Sequence, residues 1–169
     1  GFTQATGLPE KDEEGLVCFI TVSGFLNGPG FEKMRDDLRR SCSDIWVIDC
    51  SPEGHQPEVK TRIFEDVQQP ICIVLASKAH GKDQTKPARV VFRVLPEGTR
   101  KDKFTSLKSI SLRDKDWQLC SDDFRAAFLP EAVGLWAKLP ALLDLFEYTG
   151  SGVMPGRTWV IAPDSQSLV

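Results

Sequence analysis

The sequence has little of what most enzyme sites are built from. Its 169 residues include two histidines, one tyrosine and two methionines. His55 and His80 are too few for a histidine-built metal cluster. No Gly-x-Gly-x-x-Gly and no Gly-x-x-x-x-Gly-Lys-Ser/Thr string is present, so no phosphate-cradling loop opens the chain. A Gly-x-Ser-x-Gly elbow is also missing. No apolar run approaches the ~20 residues that a membrane-spanning helix needs. The five cysteines, Cys18, Cys42, Cys50, Cys72 and Cys120, are odd in number and show no Cys-x-x-Cys spacing. A disulfide framework or a zinc site is therefore not expected, and a reducing cytoplasm is the expected compartment. The chain starts at Gly1, shows no basic-then-apolar leader, and ends in Asp164-Ser165-Gln166-Ser167-Leu168-Val169. The expectation is a piece of a longer polypeptide.

What is present is the composition of a folded domain. Apolar residues make up 41% and charged residues 27%, which excludes a disordered chain. The net charge of −3 excludes a basic footprint over the whole domain. It also hides an asymmetry. Residues 1–77 balance to −6, residues 78–113 to +7, and residues 114–169 to −4. The middle segment is a basic island of Lys78, Lys82, Lys86, Arg89, Arg93, Arg100, Lys101, Lys103, Lys108 and Arg113. Such a cluster is either a solvated face or a strip turned toward a polyanion, where counterion release supplies affinity.

The hydrophobic pattern predicts an α/β fold. Residues 1–15 are polar and read as a loop. Leu16 to Val22 is a continuous apolar run of β-formers without alternation, which predicts a strand buried on both faces. Asn27-Gly28-Pro29-Gly30 is turn chemistry. A helix follows over about 31–41, with Phe31, Met34 and Leu38 on its inner face. Glu32 with Arg35, and Asp36 with Arg39 and Arg40, are expected on its solvent face. Ile45 to Cys50 is a second strand, so strand, helix and strand form a βαβ unit with parallel strands. Ile71 to Ala76 and Arg89 to Leu95 are the third and fourth strands. A short helix is expected over 100–109. From Trp117 the texture changes. Phe124, Phe128, Leu129, Val133, Leu135 and Trp136 are interrupted by Pro130 and Pro140, which predicts short helices packed over a surface. A Gly-rich link over 148–157 leads into a strand-like Thr158-Trp159-Val160-Ile161-Ala162.

Spacing alone assembles no nucleophile–base–orienter set. His55 with Glu53 or Glu58 would be an acid–base pair, but a solvated histidine explains the same string. A related reading puts Asp49, Glu53 and His55 together at the carboxyl end of the second strand, where open α/β sheets bind ligands.

Longer strings carry a resemblance. Leu16-Val17-Cys18-Phe19-Ile20-Thr21, Phe25-Leu26-Asn27-Gly28-Pro29-Gly30-Phe31 and Met34-Arg35 resemble the stretch after the catalytic Asn-Pro-Pro-Tyr/Phe loop of adenine-N6 DNA methyltransferases. Ile45-Trp46-Val47-Ile48-Asp49 resembles the next strand. Pro52-Glu53-Gly54, Thr61-Arg62-Ile63-Phe64 and Val67 to Val74 resemble the later motifs. Ser151-Gly152-Val153 with Gly156-Arg157 resembles the start of a target-recognition region. Together the strings span about residues 15–162 and are most similar to the methyltransferase core of Type ISP-like single-polypeptide restriction–modification proteins.

The resemblance implies an incomplete Rossmann-like methyltransferase sheet, holding the later strands. It divides the chain into a polar segment (1–15), the later half of a methyltransferase core (16–113), a helical connector (114–150) and the start of a target-recognition region (151–169). It implies S-adenosylmethionine as cofactor of the parent protein. The implied partners are double-stranded DNA and the rest of the polypeptide, with no membrane. The target adenine is expected to leave the duplex, because its amine is shielded in the stack. Phe64 matches the aromatic residue that packs on that base, a contact of about 1–3 kcal/mol. Lys101, Lys103 and Lys108 are the expected contacts to the DNA backbone. The Asn-Pro-Pro-Tyr/Phe loop and the glycine-rich cofactor motif are missing from this sequence. No catalytic residue is therefore assigned, and the chain alone is expected to be inactive. A non-catalytic α/β module that binds DNA or protein is the alternative.

Overall fold

A computed structural model describes residues 14–54, 63–64, 67–132, 134–140 and 145. The chain divides into two units, 1–131 and 132–169. In the second, the described structure is a 3-10 turn, Trp136–Lys138. The rest of the description concerns the first.

Its centre is a five-stranded sheet in the order β1-β3-β2-β4-β5. The strands are β1 (Gly15–Val22), β2 (Asp44–Asp49), β3 (Ile71–Lys78), β4 (Arg89–Val94) and β5 (Gln118–Leu119). The two helices are α1 (Glu32–Ser41), between β1 and β2, and α2 (Arg100–Ser109), after β4. β1 and β2 do run in the same direction, but they are not neighbours. β3 lies between them and is antiparallel to both, and β2 pairs with β4 in parallel. The sheet is mixed, so the α/β class holds. The Rossmann-like refinement is not decided by it.

α1 starts where Pro29 locks the first turn, with Glu32 at its amino end and Arg39 and Arg40 in its last turn, charges that suit the helix dipole. Gly28 precedes it because a Cβ there would meet Gly24 O at 2.6 Å. α2 opens on a capping box, in which Thr99 and Asp102 satisfy each other's backbone amides. Gly98 before it has φ +148, and Asp102 lies 3.1 Å from where its Cβ would be.

α1 covers one face of the sheet. Leu38 and Cys42 pack there with Ile45, Val47, Cys72, Val74, Ala76, Val90 and Phe92. The expected orientation of α1 needs correction. Arg35 and Arg39 are buried rather than solvated, at 3% and 0% exposure, and Phe31 is exposed. The reason lies in residues 121–128, where short helices were expected. The described structure there is an irregular loop, whose carbonyls need donors away from water. Arg39 donates to the carbonyls of Ser121, Phe124, Ala126 and Ala127 at 2.7–3.3 Å. Arg35 donates to Phe25, Gly28, Arg125 and Ala126. The Arg39 guanidinium also lies 4.6 Å from the centre of the Phe128 ring, which meets Phe25 edge to face. Burial pulls the pKa of both arginines below the ordinary value.

The other face is covered only in part. A second cluster, Ile48, Cys50, Ile63, Ile71 and Leu95, is capped by Leu107, Ile110 and Trp117. Beyond it, β1 alternates strictly between half-buried and exposed positions. Its outward residues are Leu16, Cys18, Ile20 and Val22, and Leu16 is 66% exposed. The expectation that β1 is buried on both faces is therefore wrong for this chain. Among the described residues, no strand pairs with its outer edge.

Candidate nucleic-acid interface

The basic island is split by the sheet. Arg89 begins β4, so Lys78, Lys82, Lys86 and Arg89 gather where β4 starts and β3 finishes. Arg100 to Arg113 follow the other end of β4. A six-residue strand separates the two groups by about 20 Å. Many of these charges are already matched. Arg93 pairs with Asp114 at 2.8 Å and Asp116 at 3.4 Å, Arg89 with Asp44 at 3.8 Å, and Lys86 with Asp83 at 3.9 Å. The Ser111 amide and Arg93 together hold the Asp114 carboxyl below its usual pKa.

Of the three lysines expected at DNA, the structure sets one apart. Lys103 is fully buried, and its ammonium donates to Cys50 O at 2.8 Å and Glu53 Oε2 at 2.7 Å. A charge in that position is not presented to a phosphate. Its role is to tie α2 to the loop after β2. Glu53 completes the clamp by accepting from the Gly98 amide at 3.4 Å. Burial pushes the Glu53 carboxyl up, and its hydrogen bonds with Lys103 and Gly98 more than offset this, so its pKa lies below the usual carboxylate value.

Lys101 and Lys108 stand on the outer face of α2, both exposed. Between them lies Phe104, 41% exposed, with the Arg100 guanidinium 5.6 Å from its ring centre. Arg113 is exposed just beyond the helix. Among the described residues, Lys101, Lys108 and Arg113 form no salt bridge. Phe64 is exposed at 42%, while its neighbour Ile63 is buried in the cluster against which Leu107 of α2 packs. Phe64 and α2 therefore border the same small core, at the end of the sheet where β2 and β4 finish.

Sequence reasoning missed Phe104 and the partner of Lys103. Phe104 had a visible signal, because Arg100, Lys101 and Lys108 surround it at helical spacing. The Lys103–Glu53 pair spans 50 residues and leaves no local pattern.

The Asp49, Glu53 and His55 constellation does not form as a free site. Glu53 is held by Lys103, and Asp49 Oδ1 accepts from the Ser51 amide at 2.8 Å. His55 and Glu58 lie outside the described residues. The polar groups at the strand ends are thus engaged with one another. Ser51 Oγ accepts from the Ile71 amide at 3.1 Å. Among the described residues, Asp49, Ser51 and Glu53 thus spend hydrogen bonds on the fold itself rather than forming an open set around a ligand. Among the described residues no cluster of His, Cys, Asp and Glu fits a metal ion, and no helix is long and apolar enough to cross a membrane.

No protein-family model and no curated protein matches the chain. Solved structures do match its fold. One is the DrdV–DNA complex, at TM-score 0.55 and 15% identity over 68% of this chain and 12% of that one. Another is the ATP-dependent Type ISP restriction–modification enzyme LlaBIII bound to DNA, at TM-score 0.57 and 20% identity over 68% of this chain and 8% of that one. A third is a nuclease-deletion mutant of the Type ISP enzyme LlaGI with a DNA substrate mimic, at TM-score 0.55 and 18% identity over 69% and 12%. The chain spans about a tenth of the length of these proteins, and the likeness is one of fold.

Proposed function

We propose that this chain is the later half of an adenine-N6 DNA methyltransferase core, carried in a longer restriction–modification polypeptide. The observation that carries the reading is the unfinished side of β1. Its sequence is that of a strand buried on both faces, yet Leu16, Cys18, Ile20 and Val22 are exposed and its outer edge is unpaired among the described strands. A long apolar edge without proline, charge or bulge is what a sheet interior looks like when its neighbour is missing. The fold likeness to two DNA-bound Type ISP restriction–modification enzymes supports the same reading.

In this reading, the missing neighbour brings the S-adenosylmethionine site and the Asn-Pro-Pro-Tyr/Phe loop. The present chain contributes no step of methyl transfer. It supplies Phe64 to pack on an extrahelical adenine and Lys101 and Lys108 to hold the DNA backbone. Lys103 serves behind them, by fixing α2.

The test uses Cys18, the one exposed thiol among the five. Iodoacetamide should alkylate Cys18 rapidly in the 169-residue chain. In the protein expressed from the full reading frame, Cys18 should react at least about tenfold more slowly, and that protein should methylate duplex DNA. Equal reactivity of Cys18 in the two proteins, or methylation of DNA by the 169-residue chain alone, would overturn the proposal.

A further inference from the structure

Resting on the DNA reading above, we infer that the outer face of α2, with Phe104 at its centre, binds unpaired nucleotides rather than only the backbone of a duplex. Three observations carry this. First, Phe104 is a large aromatic ring left 41% exposed in the middle of a helix face. Its neighbours on that face are Arg100, Lys101 and Lys108, at helical spacings of three and four. A ring held among cations is the combination that takes a nucleic-acid strand whose bases are unstacked. The ring meets a base and the cations meet its phosphates.

Second, Phe64 is exposed to the same degree and borders the same core, through Ile63. Phe64, through Ile63, and α2, through Leu107, thus border one cluster at one end of the sheet, with Phe104, Lys101 and Lys108 exposed on the helix. Duplex DNA hides its base faces in the stack, so exposed rings add nothing to a backbone contact. They add to binding only where bases are out of the helix.

Third, the platform is fixed. Lys103, buried on the side of the helix away from Lys101, is clamped to Cys50 O and Glu53. The acidic groups nearby do not cancel the face. Asp102 is turned back to the Thr99 amide and hydroxyl, and Asp114 is taken by Arg93 and the Ser111 amide. Glu97 is the exposed carboxylate that precedes the helix.

The experiment is fluorescence anisotropy of the 169-residue chain with a labelled 20-nucleotide single strand, and with the same sequence as a blunt duplex, over a range of salt. The single strand should bind at least about fivefold more tightly. Phe104→Ala should weaken single-strand binding about tenfold, a one-base stacking effect. It should leave duplex affinity within about twofold and the salt slope unchanged. Lys101→Ala with Lys108→Ala should instead flatten the slope for both probes, by about 0.7 per lost phosphate contact on the single strand. Phe104 is exposed, so the variant should keep the wild-type circular dichroism and melting point. If Phe104→Ala leaves single-strand binding unchanged while duplex binding persists, this inference falls and the reading of a DNA-binding fragment stands. If neither probe binds, both fall.

Discussion

On the side of the sheet under α1, Ile45, Val47, Cys72, Val74 and Ala76 have no exposed surface, whereas on the opposite side Leu16, Ile20 and Val22 of β1 remain 46–66% exposed. Both faces are built from the same kinds of side chain. What differs is the cover. The first face has a helix, a loop and two arginines that neutralise the loop's carbonyls. The second has α2 over one end and nothing described over β1. The contrast shows that apolar patterning specifies a surface to be buried without specifying what buries it. A closed face and an open one can share a single sheet.

The strongest way to break the contrast is to attack the closed face at its polar seam. Arg39→Leu removes the donor for four carbonyls and leaves them dry, so a loss of about 4 kcal/mol in urea unfolding is expected. A loss below about 1 kcal/mol would mean that the 121–128 loop is not part of the closed core. Next in size is the clamp under α2. Lys103→Met leaves Glu53 without its partner and should cost about 3 kcal/mol, with most of it recovered when Glu53→Leu is added. An additive pair would show that the two charges are not coupled.

A matched pair of truncations sharpens the comparison directly. Val47→Ala, on the closed face, should cost about 2 kcal/mol, and Ile20→Ala, on the open one, under about 1 kcal/mol. Equal costs would mean that β1 is covered in solution. The smallest expected effect is a pH dependence. The Glu53 carboxyl lies below its ordinary value of 4.5 in the folded chain, so its share of stability is present above that value and fades as pH falls through the lower, folded one. The urea midpoint measured from about pH 6 to 3 should fall less steeply in Glu53→Gln than in the wild type. Parallel curves would remove Glu53 from the account.

Much of the frame was legible beforehand. The apolar runs near 16–22, 45–50, 71–76 and 89–95 became strands within two residues of the reading, and 100–109 became α2. Periodicity and turn chemistry act locally, so they show in a string. Three features did not. β3 slots between β1 and β2 because strand order is decided by which edges meet, and no residue announces that. Arg35 and Arg39 looked like solvent-facing charges, since helical spacing with Glu32 and Asp36 is the usual mark of an exposed face. Their burial is set by a loop more than 80 residues away. Lys103 was grouped with Lys101 and Lys108 by charge, although about half a turn of the helix separates inside from outside. The thiols follow the same logic. Burial raises Cys42 and Cys120 to about 11 and Cys50 and Cys72 to about 12, which fits small core side chains rather than reactive groups.

The pairing of β1 with β3 has a consequence for how the chain is made. β1 leaves the ribosome before β3, and its ladder partners lie roughly fifty or more residues downstream. At about 5–20 residues per second, the nascent strand waits for several seconds before β3 clears the exit tunnel. Throughout that interval the edge that β3 will take is open. β1 therefore stays open to wrong pairing for longer than β3, whose partners β1 and β2 are already made when it emerges.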